Sequence, residues 1–227
     1  MSFTFTWYGH AALGLEVNGL NLVIDPFFSG NPAASTSADR VKADFILISH
    51  GHGDHLGDAV AIAKRTGALC IANAEISGWL ASKGVQTHAQ HIGGGHQHPF
   101  GYLKLTLALH GSGLPDGSNG GNPVGFLLTT PSGQKIYMAQ DTGLFGDMRL
   151  IGDEGIDLAV LPIGDNYTMG PADALRAVEL IRPKHVIPIH YNTWDLLKQD
   201  AGAWAKQVEA TTPARAHVLQ PGQSFSL

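Results

Sequence analysis

The sequence predicts an α/β (α+β) protein, a four-layer αββα sandwich in which two mixed β-sheets pack face to face beneath outer helices. Two observations predict this fold. A strand-rich segment followed by alternating strands and helices occurs twice along the chain, which indicates two similar halves. In addition, polar residues of metal-binding type directly follow four apolar strands, and open α/β sheets place their ligand sites beyond the carboxyl ends of strands.

The first half opens with two strand-like runs in FTFTWYGHAALGLEVNGLNLVID, joined at Asn18-Gly19, a dipeptide that accepts the positive φ angles of a tight hairpin turn. DPFFSGNPAASTS is rich in Pro, Gly and Ser and predicts a long loop. FILIS predicts a short strand, and GDAVAIAKRTG predicts a helix that is capped by Asp58 and ended by Gly67. ALCIA predicts another strand, AEISGWLASKG a helix, and HIGGGHQHPFG a glycine-rich loop.

The second half begins with the predicted strand YLKLTLALH, followed by a loop and by a hairpin of VGFLLTT and KIYMAQD around Pro131-Ser132-Gly133. DLAVLPIG has the pattern of a buried strand. Gly170-Pro171 opens a helix, because proline is favourable in a first turn. HVIPIHY predicts a strand, WDLLKQDAGAWAKQVEA a helix, and the chain near HVLQ a final strand. No break in composition marks a boundary, so residues 1–227 are predicted to form a single domain.

Composition excludes several classes of function. The net charge is −5, and Lys and Arg never cluster beyond a pair, so nucleic acid is a poor partner and a small-molecule substrate is expected. No apolar stretch approaches the roughly 20 residues that cross a bilayer, and MSFTFTWYGH lacks the pattern of a secretion signal. The single cysteine, Cys70, has no disulfide partner, which fits a cytoplasmic protein. The sequence does not predict the oligomeric state.

Twelve histidines stand out, and three of them fall in the stretch HGHGDH at residues 50–55. Residues two apart on an extended segment point the same way, so His50 and His52 can bind one ion. Asp54 and His55 then turn toward a second position. The intervening glycines let the backbone curl without side-chain clashes.

Three further candidate ligands stand at predicted strand ends: His110 after LKLTLAL, Asp141 after IYMAQ and His190 after VIPI. A strand holds such a residue rigidly at the edge of a sheet. Imidazole and carboxylate without thiolate suit Zn²⁺, and also Mn²⁺ or Fe. Two divalent ions about 3.5–4 Å apart that share a carboxylate would suit hydrolysis by a bridging hydroxide.

HGHGDH matches the HxHxDH signature of the metallo-β-lactamase superfamily, and LALHGSG, MAQDTG and IPIHY match its later ligand motifs in order. The chain therefore resembles that superfamily over roughly residues 5–192, which implies a metallo-β-lactamase-like fold. By this resemblance the first metal would be bound by His50, His52 and His110, and the second by Asp54, His55 and His190, with Asp141 bridging the two.

The stretches TWYGHAALGLE, VIDPFFSGNP, HGHGDHLGD, YTMGPADA and IPIHYNTW are similar to a group of short, single-domain metal-dependent hydrolases of that superfamily. YGHA followed by IDP also resembles its lactonases and phospholipases D. The resemblance implies a dinuclear hydrolase in which Asp54 is catalytic, orienting the attacking water and carrying its proton to the leaving group. The bond could be a lactone, an amide or a phosphodiester. One departure is Gly111-Ser112, where such proteins often carry serines.

Several other residues have two interpretations each. Asp25, at a strand end, is expected to hydrogen-bond a ligand histidine or to cap the loop before Pro26. His10 either faces the metals or packs in the core. Tyr191 either lines the pocket and polarises a substrate carbonyl or packs. His96 and His98 have ligand-like spacing, but their glycine-rich surroundings favour a substrate-side loop or solvent exposure over a third metal.

Two alternatives to a hydrolase stay open at this point. A metal-binding sensor or ligand-binding module on the same scaffold would lack efficient turnover. An iron redox protein would show a visible absorption band and react with oxygen. The intact ligand set favours the enzyme, because a binding protein does not need an open position for hydroxide.

Overall fold

The structure of this protein, a computed structural model, describes residues 3–227 and is built on two seven-stranded sheets. The strands of the first sheet are, in spatial order, β14 (Ser224–Ser226), β1 (Phe3–Gly9), β2 (Ala12–Val17), β3 (Leu20–Ile24), β4 (Phe45–Leu47), β5 (Leu69–Ala72) and β6 (Thr87–Ala89). Neighbours are antiparallel from β14 to β3 and parallel from β3 to β6.

The second sheet repeats this arrangement. Its strands are, in spatial order, β13 (Arg215–Ala216), β12 (His185–Ile189), β11 (Leu158–Pro162), β10 (Lys135–Met138), β9 (Val124–Thr129), β8 (Gly101–Leu107) and β7 (Gly95–His98). Neighbours are antiparallel from β7 to β10 and parallel from β10 to β13. The prediction of two similar halves with mixed sheets is confirmed.

Helices flank both sheets. They are α1 (Gly53–Leu56), α2 (Ala59–Thr66), α3 (Ala74–Ser82), α4 (Met148–Gly152), α5 (Pro171–Ile181) and α6 (Ala201–Thr211). The first three follow strands of the first sheet, and α2 and α3 contact β5. The other three belong to the second half, where α5 contacts β11 and α6 contacts β13. None of the helices described within residues 3–227 has the length and apolar character needed to span a bilayer.

Successive side chains along a strand pack into different layers of the molecule. In β4 and β5, Leu47 and Ile71 pack into the core that contains the second sheet. Their neighbours Ile46 and Cys70 pack instead with the residues of α2 and α3. Because successive strand side chains point to opposite faces, both faces of this sheet are buried. The predicted four-layer sandwich is therefore confirmed.

Two local predictions are wrong, and one is close. HIGGGHQHPFG contains strand β7, where an added Cβ at Gly95 would come within 2.2 Å of the Tyr102 hydroxyl, so a larger residue there would displace the Tyr102 side chain. The final strand predicted near HVLQ is β13, which ends at the residue before this stretch, and β14 follows nearer the end of the chain. The Asp58 side chain does not cap α2, because its carboxylate accepts hydrogen bonds from the backbone N–H groups of Phe28 and Ser29.

Candidate metal centre

The ends of four strands bring the predicted ligands to one place. The chain reaches His50 after β4, His110 after β8, Asp141 after β10 and His190 after β12. Asp54 and His55 lie in α1, the short helix that directly follows the extended part of HGHGDH. Six of the seven predicted ligands consequently fall into two adjoining groups, and the seventh, Asp141, lies between them.

The first group consists of His50, His52 and His110, each of which offers a nitrogen within 4.8 Å of the other two. Nε2 of His50 lies 3.0 Å from Nδ1 of His52. The three ring centroids are 4.6 to 5.1 Å apart. Three imidazoles at this spacing match the ligand number of an open zinc site.

The second group contains Asp54, His55 and His190, and the structure adds His10 to it. Nε2 of His10 lies 3.2 Å from Oδ2 of Asp54, and its Nδ1 lies 2.8 Å from the Thr193 hydroxyl. His10 is fully buried, and its ring centroid is 4.0 Å from that of His190. Of its two interpretations, His10 thus faces the candidate centre.

Asp141 connects the two groups through one carboxylate oxygen. Its Oδ2 lies 3.5 Å from Nε2 of His110 in the first group. The same oxygen lies 3.2 Å from Nε2 of His55 and 3.2 Å from Nε2 of His190 in the second group. A carboxylate so placed is within reach of an ion in either group.

Several buried polar atoms at this point have no hydrogen-bond partner in the described chain. They are Nε2 of His55, both ring nitrogens of His190 and Oδ1 of Asp141. The contacts of the two histidines with Oδ2 of Asp141 are close but lack hydrogen-bond geometry. Leaving such groups unpaired in the interior is costly, and a bound cation removes that cost. The donor set therefore fits metal ions.

Asp25 supports the centre through hydrogen bonds to a candidate ligand and to its neighbours. Its Oδ2 accepts hydrogen bonds from Nδ1 of His55 at 2.7 Å and from the Gln140 amide at 2.6 Å, and also from the Ser49 hydroxyl. Oδ1 accepts the Ser49 backbone N–H at 2.8 Å. A hydrogen bond at Nδ1 fixes the tautomer and leaves the lone pair on Nε2, as metal-binding histidines require. Sequence reasoning missed Ser49 and Gln140, whose only signal is that each directly precedes a candidate ligand.

The site holds its carboxylates ionised. Burial alone would raise the pKa of Asp141, but the facing His190 and His55 outweigh it and hold that pKa well below its usual range. Burial likewise opposes ionisation of Asp54, yet the hydrogen bond from His10 and the charge of His55 lower its pKa. Burial and the neighbouring His55 also lower the pKa of His50. Anionic oxygens and neutral imidazoles are the forms that bind metal.

His55 shows the opposite behaviour. Burial would lower its pKa, but the carboxylates of Asp141 and Asp25 on either side raise it well above the usual value. These carboxylates therefore stabilise positive charge at the position of the His55 ring.

Two close backbone approaches shape the loops. An added Cβ at Gly164 would lie 2.1 Å from the His190 carbonyl oxygen, so a side chain there would displace the end of β12. At Gly51 it would lie 3.1 Å from the Gly113 carbonyl. The Gly51 N–H donates to the hydroxyl of Ser112 at 3.1 Å, so this serine holds the motif against the loop after His110.

Tyr191 and Cys70 are apart from the candidate ligands. The Tyr191 ring stacks on Trp7 with centroids 5.2 Å apart, and burial raises its pKa to about 12. It lines an open groove of about 810 Å³ whose lining includes none of the seven predicted ligands.

Cys70 is buried, and its burial raises the pKa of the thiol to about 12, which makes it unreactive.

Partly exposed aromatic side chains lie beside the centre. The side chain of Trp194 is 40% exposed, and its ring centroid lies 4.9 Å from that of His10. The ring centroid of Phe27 lies 5.9 Å from that of His10. Leu109, which precedes His110, is 49% exposed. The polar centre is thus bordered by surface that suits an apolar group.

Comparison with known proteins agrees with this geometry. The metallo-β-lactamase fold protein YhfI from Bacillus subtilis superimposes with a TM-score of 0.77 at 12% identity, covering 100% of both chains, which concerns the fold alone. The model of the beta-lactamase superfamily domain matches residues 20–191, a range that holds all seven predicted ligands. This chain belongs to the metallo-β-lactamase superfamily.

Within the metallo-β-lactamase superfamily, the chain is 50% identical to a UPF0173 metal-dependent hydrolase from Pelotomaculum thermopropionicum, an alignment that covers 98% of this chain and 99% of that protein. Igni18, a metallo hydrolase from Ignicoccus hospitalis, has a structure with a TM-score of 0.92 and 35% identity, covering 100% of this chain and 99% of the other. The chain therefore extends over nearly the whole length of these superfamily members.

Proposed function

We propose that this protein is a dinuclear metal-dependent hydrolase. The observation that carries the proposal is the position of Asp141 Oδ2, which lies 3.2 to 3.5 Å from histidine nitrogens of two separate ligand groups. Relatives named metal-dependent hydrolases that align with almost the whole chain support it.

The assignment of ligands follows the two groups. His50, His52 and His110 would hold one ion, and Asp54, His55 and His190 would hold the other, with Asp141 shared. The unpartnered buried nitrogens of His55 and His190 support this assignment, because an ion would satisfy them. Histidine and carboxylate ligands favour Zn²⁺, with Mn²⁺ and Fe as the alternatives.

Divalent ions in these positions would lower the pKa of water and polarise the bond to be cleaved. The chain supplies the remaining parts. Asp54 has an ionised carboxylate whose side chain is 32% exposed, so it can accept a proton from an attacking water and deliver it to the leaving group. The hydrogen bond between Nε2 of His10 and Asp54 at 3.2 Å would hold that carboxylate in orientation.

The substrate is proposed to be a small molecule with an apolar part. Phe27 and Trp194 lie beside His10 at the centre and would contact such a group. A lactone, an amide and a phosphodiester all place a polarised bond beside an organic substituent, so each is a candidate.

The test combines metal analysis with a substrate panel. Wild type, His52→Ala, Asp141→Ala and the control Asp147→Asn, an exposed aspartate, are reconstituted with Zn²⁺ and assayed on lactones, amides and phosphodiesters. We expect two ions at the candidate centre and metal-dependent turnover in wild type and control, and loss of metal from that centre and of turnover in both alanine variants.

Full metal loading of both alanine variants would contradict the ligand assignment. Metal binding by wild type without turnover on any substrate class would instead support a metal-binding sensor.

A further inference from the structure

A third histidine cluster lies outside the candidate centre, at the edges of the two sheets. His88 belongs to β6, the terminal strand of the first sheet, and His96 and His98 belong to β7, the terminal strand of the second. Each residue offers a nitrogen within 4.8 Å of the other two. For His96 and His98 the sequence favoured a substrate-side loop or solvent exposure over a metal site, whereas the structure brings them together with His88.

The strand geometry explains the convergence. His96 and His98 are two residues apart in a strand, so their side chains lie on the same face. Their ring centroids are 4.7 Å apart, and those of His88 lie 4.5 Å from His96 and 5.0 Å from His98. These separations resemble those of the three histidines in the candidate centre.

The cluster contains no carboxylate, and within residues 3–227 no ion pair joins it to one. Burial, reinforced by the other two histidines, lowers the pKa of His98 to about 4. Burial and His96 also lower the pKa of His88. Neutral imidazoles have a lone pair free for a metal.

Neighbouring residues fix the orientation of His98. The Gln90 amide donates to the Leu103 carbonyl at 3.2 Å, which directs its oxygen to Nε2 of His98 at 3.0 Å. Nε2 must then carry the hydrogen, and Nδ1 keeps the lone pair. The ring also stacks on Phe100, with centroids 5.0 Å apart and an interplanar angle of 6°. A hydrogen bond to the second nitrogen is typical support for a histidine that binds metal.

We propose that His88, His96 and His98 form an additional Zn²⁺ site that connects the free edges of the two sheets. Three histidine nitrogens leave a fourth tetrahedral position, which solvent can fill because His96 is exposed. The ion would join β6 to β7, which lie in different sheets and have no ladder hydrogen bonds to each other.

The experiment counts zinc in the full-length protein. Wild type, the double variant His88→Gln/His96→Gln and the control His91→Gln are stripped with a chelator and dialysed against a series of buffered Zn²⁺ concentrations. His91 is an exposed histidine of the same region outside the cluster. We expect wild type and His91→Gln to bind one zinc ion per chain more than the double variant, and zinc to raise the melting temperature more in these two proteins.

The difference in stoichiometry does not depend on how many ions the candidate centre binds, so failure of the proposed function leaves the test intact. His96→Gln alone, at an exposed position, replaces the double variant if circular dichroism shows that the latter is not folded. Equal zinc content in all proteins at every concentration would overturn the site.

Discussion

At the scale of single residues, Asp25 determines how the candidate centre is oriented, although it is not among the predicted ligands. It is fully buried and accepts hydrogen bonds from His55, Ser49 and Gln140. Replacement by Asn would put an amide among groups that donate to the carboxylate. The loss of one acceptor would therefore disturb the ring of His55, a candidate ligand, and through it the metal site.

We predict that Asp25→Asn weakens zinc affinity about 10- to 100-fold, as loss of such supporting groups does at other metal sites. The free energy of unfolding should fall by about 1–3 kcal/mol, because buried donors lose their acceptor. Competition with a chromophoric chelator measures the affinity, and Asp147→Asn serves as the control. Unchanged affinity in folded Asp25→Asn would show that His55 does not need this partner.

His98 gives a prediction for pH. Its pKa is about 4 in the folded protein against 6.5 for an ordinary histidine, so the unfolded chain binds more protons between these values. Stability is then present at neutral pH and decreases as pH falls through that window. In the metal-free protein, the free energy of unfolding measured with urea should vary less with pH for His98→Gln than for the wild type. The control His91→Gln should show the pH dependence of the wild type. Parallel pH profiles for all three proteins would contradict the assignment to His98.

The residues that could be predicted from sequence are those with a positional signal. His110, Asp141 and His190 each follow an apolar strand, and the structure brings them together with the HGHGDH motif. Their supporting residues, such as Ser49 and Gln140, are common polar types without a characteristic spacing. Only the fold shows that their side chains meet Asp25.

At the scale of elements, Gly164 connects strand packing to the centre. It follows β11, and its α-carbon lies so close to the end of β12 that an added methyl group would contact the His190 carbonyl. We predict that Gly164→Ala lowers the free energy of unfolding by about 1–3 kcal/mol through overpacking and also weakens zinc binding by shifting His190. Gly146→Ala is the matched control, because nothing lies within 4 Å of its added Cβ. Denaturant unfolding and zinc titration measure the two effects. Equal unfolding free energies and equal zinc affinities in the two variants would show that the contact between residue 164 and the His190 carbonyl is unimportant.

Short edge strands were the elements that sequence patterns did not locate. β7 contains glycine and two histidines, so it lacks the apolar alternation that identifies a strand. β13 has only two residues. Longer internal strands such as DLAVLPIG carry a continuous apolar signal because both of their faces are buried. The sheets were therefore predictable in their centres and not at their edges.

At the scale of the whole molecule, the candidate centre draws ligands from both halves. His50, His52, Asp54 and His55 come from the first half, and His110, Asp141 and His190 follow strands of the second sheet. An ion that binds only the folded arrangement stabilises it by mass action.

We predict that zinc raises the melting temperature of the wild-type protein, with a gain of about 2.7 kcal/mol for each ion whose dissociation constant free zinc exceeds about 100-fold. Asp141→Asn should lose most of this gain, whereas Asp147→Asn should keep it. Scanning calorimetry with and without chelator measures the effect. If zinc raised the melting temperature of Asp141→Asn as much as that of the wild type, the stabilisation would not come from ions bound at the proposed centre.

The position of β14 has a consequence for synthesis on the ribosome. This strand, at residues 224–226, pairs with β1, where Ser226 lies opposite Thr4 and Ser224 opposite Thr6. During translation, the outer edge of β1 therefore keeps its backbone N–H and C=O groups unpaired until the strands of both sheets have been synthesised. An unpaired strand edge is a template for pairing with another chain, so β14 covers the edge at which nascent chains would otherwise associate.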